Sequence, residues 1–170
     1  MRNKFIILLV ALCIDAHAEP LTDFEAIVDQ CKKAFDARPT VEVAWTEAAK
    51  SWVKRVYAPI KITYDVQKTN SLVSPFSGYI EITEAVAAKV GLDEASAQAL
   101  DVSINDEGMR TIRRLNYALR GGAWDIVDGR ENFSTKLSAN DPYGKPYSLQ
   151  HTREKLLQKK GPLKSCIVGK

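Results

Sequence analysis

The chain has 170 residues and a formal net charge of +3, and 45% of its residues are hydrophobic. This length is sufficient for one domain that buries its own core without help from a metal ion. The hydrophobic content excludes a wholly disordered chain, and the small net charge gives no indication of a nucleic-acid partner.

Residues 1–18 have the pattern of a cleaved signal peptide. A short basic start precedes an apolar run from Phe5 to Leu12, and Ala16-His17-Ala18 offers small residues to a signal peptidase. The run is too short for a membrane span, which needs about 20 residues. We therefore expect cleavage before Glu19, no transmembrane segment afterwards, and one domain over residues 19–170 in the periplasm or secreted.

Cleavage would also change the cysteine inventory. It removes Cys13 and leaves Cys31 and Cys166. In an oxidising compartment an even pair of cysteines most simply forms one disulfide bond. We expect this bond to tie the first helix to the C-terminal end of the chain.

The first half of the mature chain predicts a helix and then a region with two interpretations. Thr22 and Glu25 have the spacing of a capping box, and a helical apolar stripe follows it as far as Arg38-Pro39. Residues 41–57 fit a helical face and also contain a β-rich end. We favour a helix up to about Trp52, while the choice between helix and strand stays open.

The middle of the chain alternates as strands do. Apolar residues recur at every second position in residues 60–66, and a return strand is expected from Tyr79 to Thr83 with an extension towards Val90. Asp93 is the expected N-cap of a short helix. Gly121-Gly122 predicts a tight turn between two further strands.

The C-terminal part is expected to leave the sheet. Asp128-Gly129 has turn character, and a last helix is predicted from Ser148 to Lys160, ending at Gly161-Pro162. The pattern as a whole predicts an α+β fold with an N-terminal helix on an antiparallel sheet of about four strands. This order of elements resembles the cystatin-like and NTF2-like architectures.

Catalytic motifs are absent from the sequence. There is no phosphate-binding glycine loop, no CxxC pair, no HExxH and no GxSxG, and cleavage would leave His151 as the one histidine. We expect His151 to be exposed on the last helix. Neither a cofactor nor a metal site is expected, because a zinc site needs several clustered ligands.

The loop from Lys68 to Ser77 is the leading candidate for function. It joins two predicted strands and carries apolar side chains on a connection that should be exposed, and such loops often bind partners. The alternative is that Leu72 and Phe76 fold back on the core. The candidate binding residues are Asn70, Leu72, Val73, Pro75 and Phe76.

A second candidate is a pocket between helix and sheet. A carboxylate beside tyrosines in a dry pocket could transfer protons, and this pocket would draw on Tyr64, Asp65, Tyr79 and Tyr117. Strand alternation places Tyr64 and Tyr117 with the core aliphatics and Asp65 on the opposite face, which favours core packing.

The sequence thus favours an exported binding protein without catalysis. Its partner would be another protein, as for an inhibitor or an immunity-type protein, and the alternative is a small-pocket enzyme or ligand carrier. Residues 145–170 carry seven basic residues and one acid, so weak contact with an anionic envelope surface is a further expectation.

Overall fold

The computed structural model describes residues 18–104, 108–135 and 147–169, and within them one helix packs on one antiparallel sheet. The helices are α1 (Ala18–Asp36), α2 (Glu94–Ala99), α3 (Arg153–Leu157) and a 3-10 helix (Pro162–Cys166). The strands are β1 (Val41–Thr46), β2 (Ser51–Tyr57), β3 (Lys61–Lys68), β4 (Phe76–Gly91), β5 (Met109–Arg120), β6 (Ala123–Thr135) and β7 (Tyr147–Thr152).

Strand β4 is the organising element of the sheet. The strands lie in the order β1-β2-β4-β5-β6-β7, and β3 pairs with β4 on the same side as β2. Thr83 of β4 faces Lys61 and Val86 faces Tyr57, so β2 and β3 together form one strand interrupted at Pro59. Ala58 bridges the interruption by donating a 2.9 Å hydrogen bond to the Ala85 carbonyl.

The core lies between α1 and the sheet. Phe24 of α1 is fully buried, with ring centroids 4.6 Å from Trp124 and 5.3 Å from Tyr117. Gly78 permits this approach, because a Cβ there would lie 2.9 Å from the Phe24 ring. Burial of one such large apolar side chain contributes about 1.5–3 kcal/mol.

The predicted disulfide is confirmed. Cys31 and Cys166 are bonded across a sequence separation of 135 residues, and both are fully buried. The 3-10 helix thereby packs against α1, and Leu163 and Ile167 complete the core beside it.

The α+β class with an N-terminal helix is confirmed, but the expected strand number is wrong. The described sheet has seven strands rather than about four. The favoured helix up to Trp52 is replaced by the β1–β2 hairpin, in which Trp45 faces Trp52. Helical and strand periodicities both fit residues 41–57, and cross-strand pairing of β-branched and aromatic side chains decides between them.

The predicted C-terminal helix is also wrong over most of its length. Residues 147–152 form β7, and only the short α3 and the 3-10 helix follow. Asp128-Gly129 does not turn the chain out of the sheet but lies inside β6. Gly129 serves packing instead, because a Cβ there would lie 3.3 Å from Leu156.

Other predicted boundaries fare better. β4 runs on to Gly91, Asp93 caps α2 by accepting from the Ser96 amide at 2.7 Å, and Gly121-Gly122 joins β5 to β6. α1 begins at Ala18 rather than at Thr22. Most of the predicted signal peptide, residues 1–17, lies outside the described residues.

Candidate functional site

The β3–β4 loop, residues 69–75, projects apolar side chains into solvent. Leu72 is fully exposed and Val73 is 76% exposed. Asn70 is exposed beside them, and Pro75 is half-buried at the base. Phe76 is half-buried against the core, so the loop is anchored there while its tip stands free.

Hydrogen bonds within the loop fix its shape. The Thr69 amide donates to the Pro75 carbonyl at 2.8 Å, and the Thr69 hydroxyl donates to the Ser74 carbonyl. The Ser74 amide in turn donates to the Ser71 hydroxyl at 3.2 Å. Leu72 and Val73 therefore stand on a braced turn, so less conformational entropy is lost when a partner binds.

Two other elements, the β5–β6 hairpin and the start of α1, lie at the same end of the sheet as this loop; that end is called the pole below. Ser77 faces Ala118, which places the Gly121-Gly122 hairpin beside the loop's end of the sheet. Trp124 follows that hairpin and donates a 2.9 Å hydrogen bond to the Pro20 carbonyl, which places the start of α1 there as well. Leu21, which is 43% exposed, adds apolar surface at this pole.

The four residues of the alternative pocket divide between the two faces of the sheet. Tyr117 is 2% exposed and lies in the core, and Tyr64 lies at the rim of the core with its hydroxyl donating to Glu25 at 3.0 Å. Burial raises the pKa of Tyr117, and the hydrogen bond to Glu25 raises that of Tyr64. Neither phenol is therefore prepared to release a proton.

Asp65 and Tyr79 line an open groove of about 330 Å³ on the outer face. They face each other across β3 and β4, and the same row continues through Asn116 to Asp128. Asn116 donates to Asp128 at 2.6 Å. The guanidinium of Arg114 lies 3.7 Å from the centroid of the Tyr79 ring.

The groove offers both hydrogen-bond donors and hydrogen-bond acceptors in fixed positions. Asp65 accepts from the Val66 amide at 2.9 Å and from the Gln67 side chain at 2.8 Å. Among the described residues, neither Asp65 nor Asp128 forms an ion pair. Such a surface could hold a small polar ligand, but its open shape leaves water free access.

A row of charged side chains crosses the helix-facing side of the sheet, and sequence reasoning missed it. Glu84 accepts from Arg38 at 2.9 Å and from Arg113 at 3.0 Å. Arg113 also donates to Glu131 at 3.1 Å. Since the two carboxylates are each 10% exposed, this row joins the end of α1 to β4, β5 and β6 in a largely dry environment.

His151 lies at the end of this charged row, so its predicted place on an exposed helix is wrong. It belongs to β7, its side chain is 13% exposed, and its Nε2 lies 3.2 Å from Glu131. Lys159 approaches the same carboxylate at 3.5 Å. Burial would raise the pKa of Glu131, but Arg113, Lys159 and His151 outweigh it and lower the pKa below its ordinary value.

A signal for the charged row was present in the strand alternation. Glu84 follows Ile80 and Ile82 in phase, and Arg113 precedes Leu115 in phase. A charged residue in the buried phase of a strand needs a partner, so two such strands indicate an ion pair between them.

The described residues contain no group of three His, Cys, Asp or Glu placed to hold a metal ion.

The basic C-terminal segment is partly engaged within the protein. Arg153 forms a 3.0 Å ion pair with Asp125, and Lys164 donates to the Leu157 carbonyl at 3.2 Å. With Lys159 bound to Glu131, three of the basic residues have internal partners. Lys155 and Lys160 are exposed, and Lys145 and Lys170 lie outside the described residues.

Comparison with known proteins gives no match to a protein-family model, a curated protein or a solved structure. What the structure shows of the described residues is an α+β fold with one seven-stranded sheet and one disulfide bond. Within the described residues no helix is long and apolar enough to cross a membrane.

Proposed function

We propose that this chain is an exported binding protein without catalysis, and that its partner is another protein of the inhibitor or immunity-protein type. The observation that carries the proposal is the braced β3–β4 loop, which holds Leu72 and Val73 in solvent. When a partner covers exposed apolar side chains on an ordered loop, their burial stabilises the complex.

The environment of the loop supports the same proposal. The loop connects two strands of a large sheet, so its tip is held by a rigid scaffold, as is common for binding loops. Leu21 extends the apolar surface at the same pole. Leu72 and Val73 offer an apolar centre for contact, and binding energy is concentrated in such centres of protein interfaces.

Export is supported by the disulfide and by the leader-like residues 1–18. A buried disulfide forms and persists in oxidising compartments such as the periplasm or the extracellular space. The bond between Cys31 and Cys166 closes most of the chain, so it matters for the fold as a whole.

A partner-capture experiment tests the proposal. The double variant Leu72→Ser/Val73→Ser and the wild type are immobilised and exposed to the extracytoplasmic fraction of the source organism. We expect one partner on the wild type and at least tenfold less of it on the double variant. Leu92→Ser is the matched control, because Leu92 is 97% exposed but lies between β4 and α2.

Two results would contradict the proposal. One is the absence of any partner above background on the wild-type protein. The other is equal capture by the double variant, which would place the binding surface elsewhere. Thermal unfolding of all three proteins checks the fold, and no loss beyond about 0.5 kcal/mol is expected from these exposed positions.

The alternative, a ligand carrier, has one observation in its favour: the outer-face groove with the carboxylates of Asp65 and Asp128. Thermal unfolding in the presence of small polar metabolites, compared between wild type and Asp128→Asn, addresses it. A ligand that raises the unfolding temperature of the wild type alone would favour the carrier over the protein-binding function.

A further inference from the structure

Strand β1 forms one edge of the sheet in the described residues, and α2 contacts β1 without adding a strand to it. No described strand pairs with its outer side. Natural edge strands are usually guarded by lysine, proline or a bulge, and the sequence Val41–Thr46 contains none of these. Val41 is 45% exposed and Trp45 is 48% exposed, so the edge is also apolar.

Glu42 is the one charged residue of β1, and it is held by the neighbouring strand. Its carboxylate accepts a 2.8 Å hydrogen bond from the Tyr57 hydroxyl and lies 3.6 Å from Arg55. Tyr57 and Arg55 both belong to β2. Because the Glu42 carboxylate is bound by these two side chains of β2, its charge does not repel a strand that approaches the edge.

The hydrogen-bond phase of β1 defines which backbone groups are free. The Thr40 carbonyl accepts from the Tyr57 amide at 2.8 Å, so residue 40 points its polar groups at β2. In an antiparallel pair this direction alternates along the strand. Val41, Val43 and Trp45 therefore direct their amides and carbonyls outwards.

We propose that β1 pairs with β1 of a second copy of this chain, antiparallel, about a twofold axis at Val43. This register sets Val43 against Val43 of the second copy and Val41 against Trp45 of the second copy. All these residues point their amides and carbonyls at the other strand, so the ladder is fully bonded.

The side chains are complementary in the same register. Val41, Val43 and Trp45 lie on one face of β1, so each aromatic ring meets a β-branched side chain of the other copy. Cross-strand pairs of this kind contribute roughly 0.2–1 kcal/mol each. Glu42 meets Ala44 of the second copy, and the two Glu42 carboxylates do not oppose each other.

Other registers fit less well. An axis at Ala44 keeps the hydrogen-bond phase but sets Val41 against Glu47, a charged residue of the turn. An axis between Val43 and Ala44 sets outward-pointing backbone groups against inward-pointing ones, and the ladder is lost. The axis at Val43 is thus the register that pairs both exposed apolar residues.

The interface is small, so the association should be weak. Interfaces below about 1,200 Å² are typical of transient contacts, and a dimer in the micromolar range or weaker is expected. This inference concerns the β1 edge and does not depend on the β3–β4 loop. The variant Leu72→Ser/Val73→Ser should therefore leave the association unchanged.

Register-specific crosslinking is the main test. In a Cys13→Ser background, Val43→Cys introduces one thiol besides the Cys31–Cys166 disulfide. Residues opposite each other in a bonded antiparallel pair have Cα atoms about 5.5 Å apart, which a disulfide can span. We expect Val43→Cys to give a covalent dimer under mild oxidation, and Leu149→Cys on the β7 edge to stay monomeric.

Sedimentation analysis provides a second measurement without a new thiol. The wild type should associate reversibly with rising concentration, and Val43→Lys should weaken this at least tenfold, while Leu149→Lys should not. A wild type that stays monomeric at its highest soluble concentration would overturn the proposal. So would a dimer that crosslinks through Ala44→Cys but not through Val43→Cys.

Discussion

The hydroxyl of Tyr117 on β5 donates a 2.6 Å hydrogen bond to the backbone carbonyl of Cys166, whose sulfur is bonded to Cys31 on α1. The buried Tyr117 side chain thereby binds the C-terminal segment around Cys166 to the sheet. Tyr117 is 2% exposed and also contacts Phe24, so its ring and its hydroxyl act on the same junction between helix, sheet and C-terminal segment.

Tyr117→Phe should destabilise the protein by about 1–3 kcal/mol, because the buried Cys166 carbonyl loses its side-chain donor. Tyr64→Phe is the matched control, since the Tyr64 hydroxyl bonds Glu25 at a 40% exposed position. Its cost should stay within about 0.5 kcal/mol. Urea unfolding of both variants measures the difference, and equal costs would contradict this account.

Removal of the disulfide by Cys31→Ala/Cys166→Ala should lower the free energy of unfolding by about 5 kcal/mol. The chain-entropy model gives this magnitude for a closed loop of this length. Both sulfurs are fully buried, so in the wild type a reductant should act only after unfolding. A variant as stable as the wild type in urea would show that the bond restrains nothing.

Glu131→Gln should change how stability depends on pH. The pKa of Glu131 is lowered in the folded protein, so its contribution is complete above about pH 4.5 and is lost as the pH falls through the folded value. The wild type should therefore lose more stability between about pH 5 and pH 3 than the variant.

At neutral pH the same variant takes the Glu131 carboxylate from Lys159 and His151 and one of two carboxylates from Arg113, which keeps Glu84. Loss of one partner from a buried pair costs about 3–5 kcal/mol. Glu81→Gln is the control, because Glu81 lies on the outer face of β4 and no described residue forms an ion pair with it. Parallel pH curves for Glu131→Gln and wild type would refute the assignment.

Gly78→Ala should destabilise the protein by about 1–3 kcal/mol through overpacking. The added Cβ would lie 2.9 Å from the Phe24 ring, which is enclosed by Tyr117 and Trp124 and has little room to move. Ser77→Ala, one residue earlier on the outer face, should be nearly neutral. Thermal unfolding compares the two, and a neutral Gly78→Ala would mean that Phe24 can shift.

Local patterns in the sequence were enough to predict some elements. Period-two alternation in residues 60–66 identified β3, and the Gly121-Gly122 turn identified the β5–β6 hairpin. The Cys31–Cys166 bond followed from the number of cysteines and the expected compartment. Each of these three signals depends on neighbouring residues or on a count of residues, and none of them needs the tertiary structure.

Long-range pairing decided the elements that were predicted wrongly. Trp45 and Trp52 suit a helical face as well as a hairpin, and their contact across β1 and β2 settles the choice. Ser148 to Thr152 pair with β6, and this pairing overrides their helical pattern. For the candidate site, the apolar loop was predicted. Strand alternation marks Glu84 and Arg113 as buried charges, but their partners follow only from which strands are neighbours.

The position of the disulfide also affects when the chain can fold. Cys31 lies near the beginning and Cys166 near the end, so α1 acquires its covalent partner only after almost the whole chain is present. Native structure that depends on such distant contacts forms slowly. A chain with this delay stays unfolded for longer, which would suit the export proposed above.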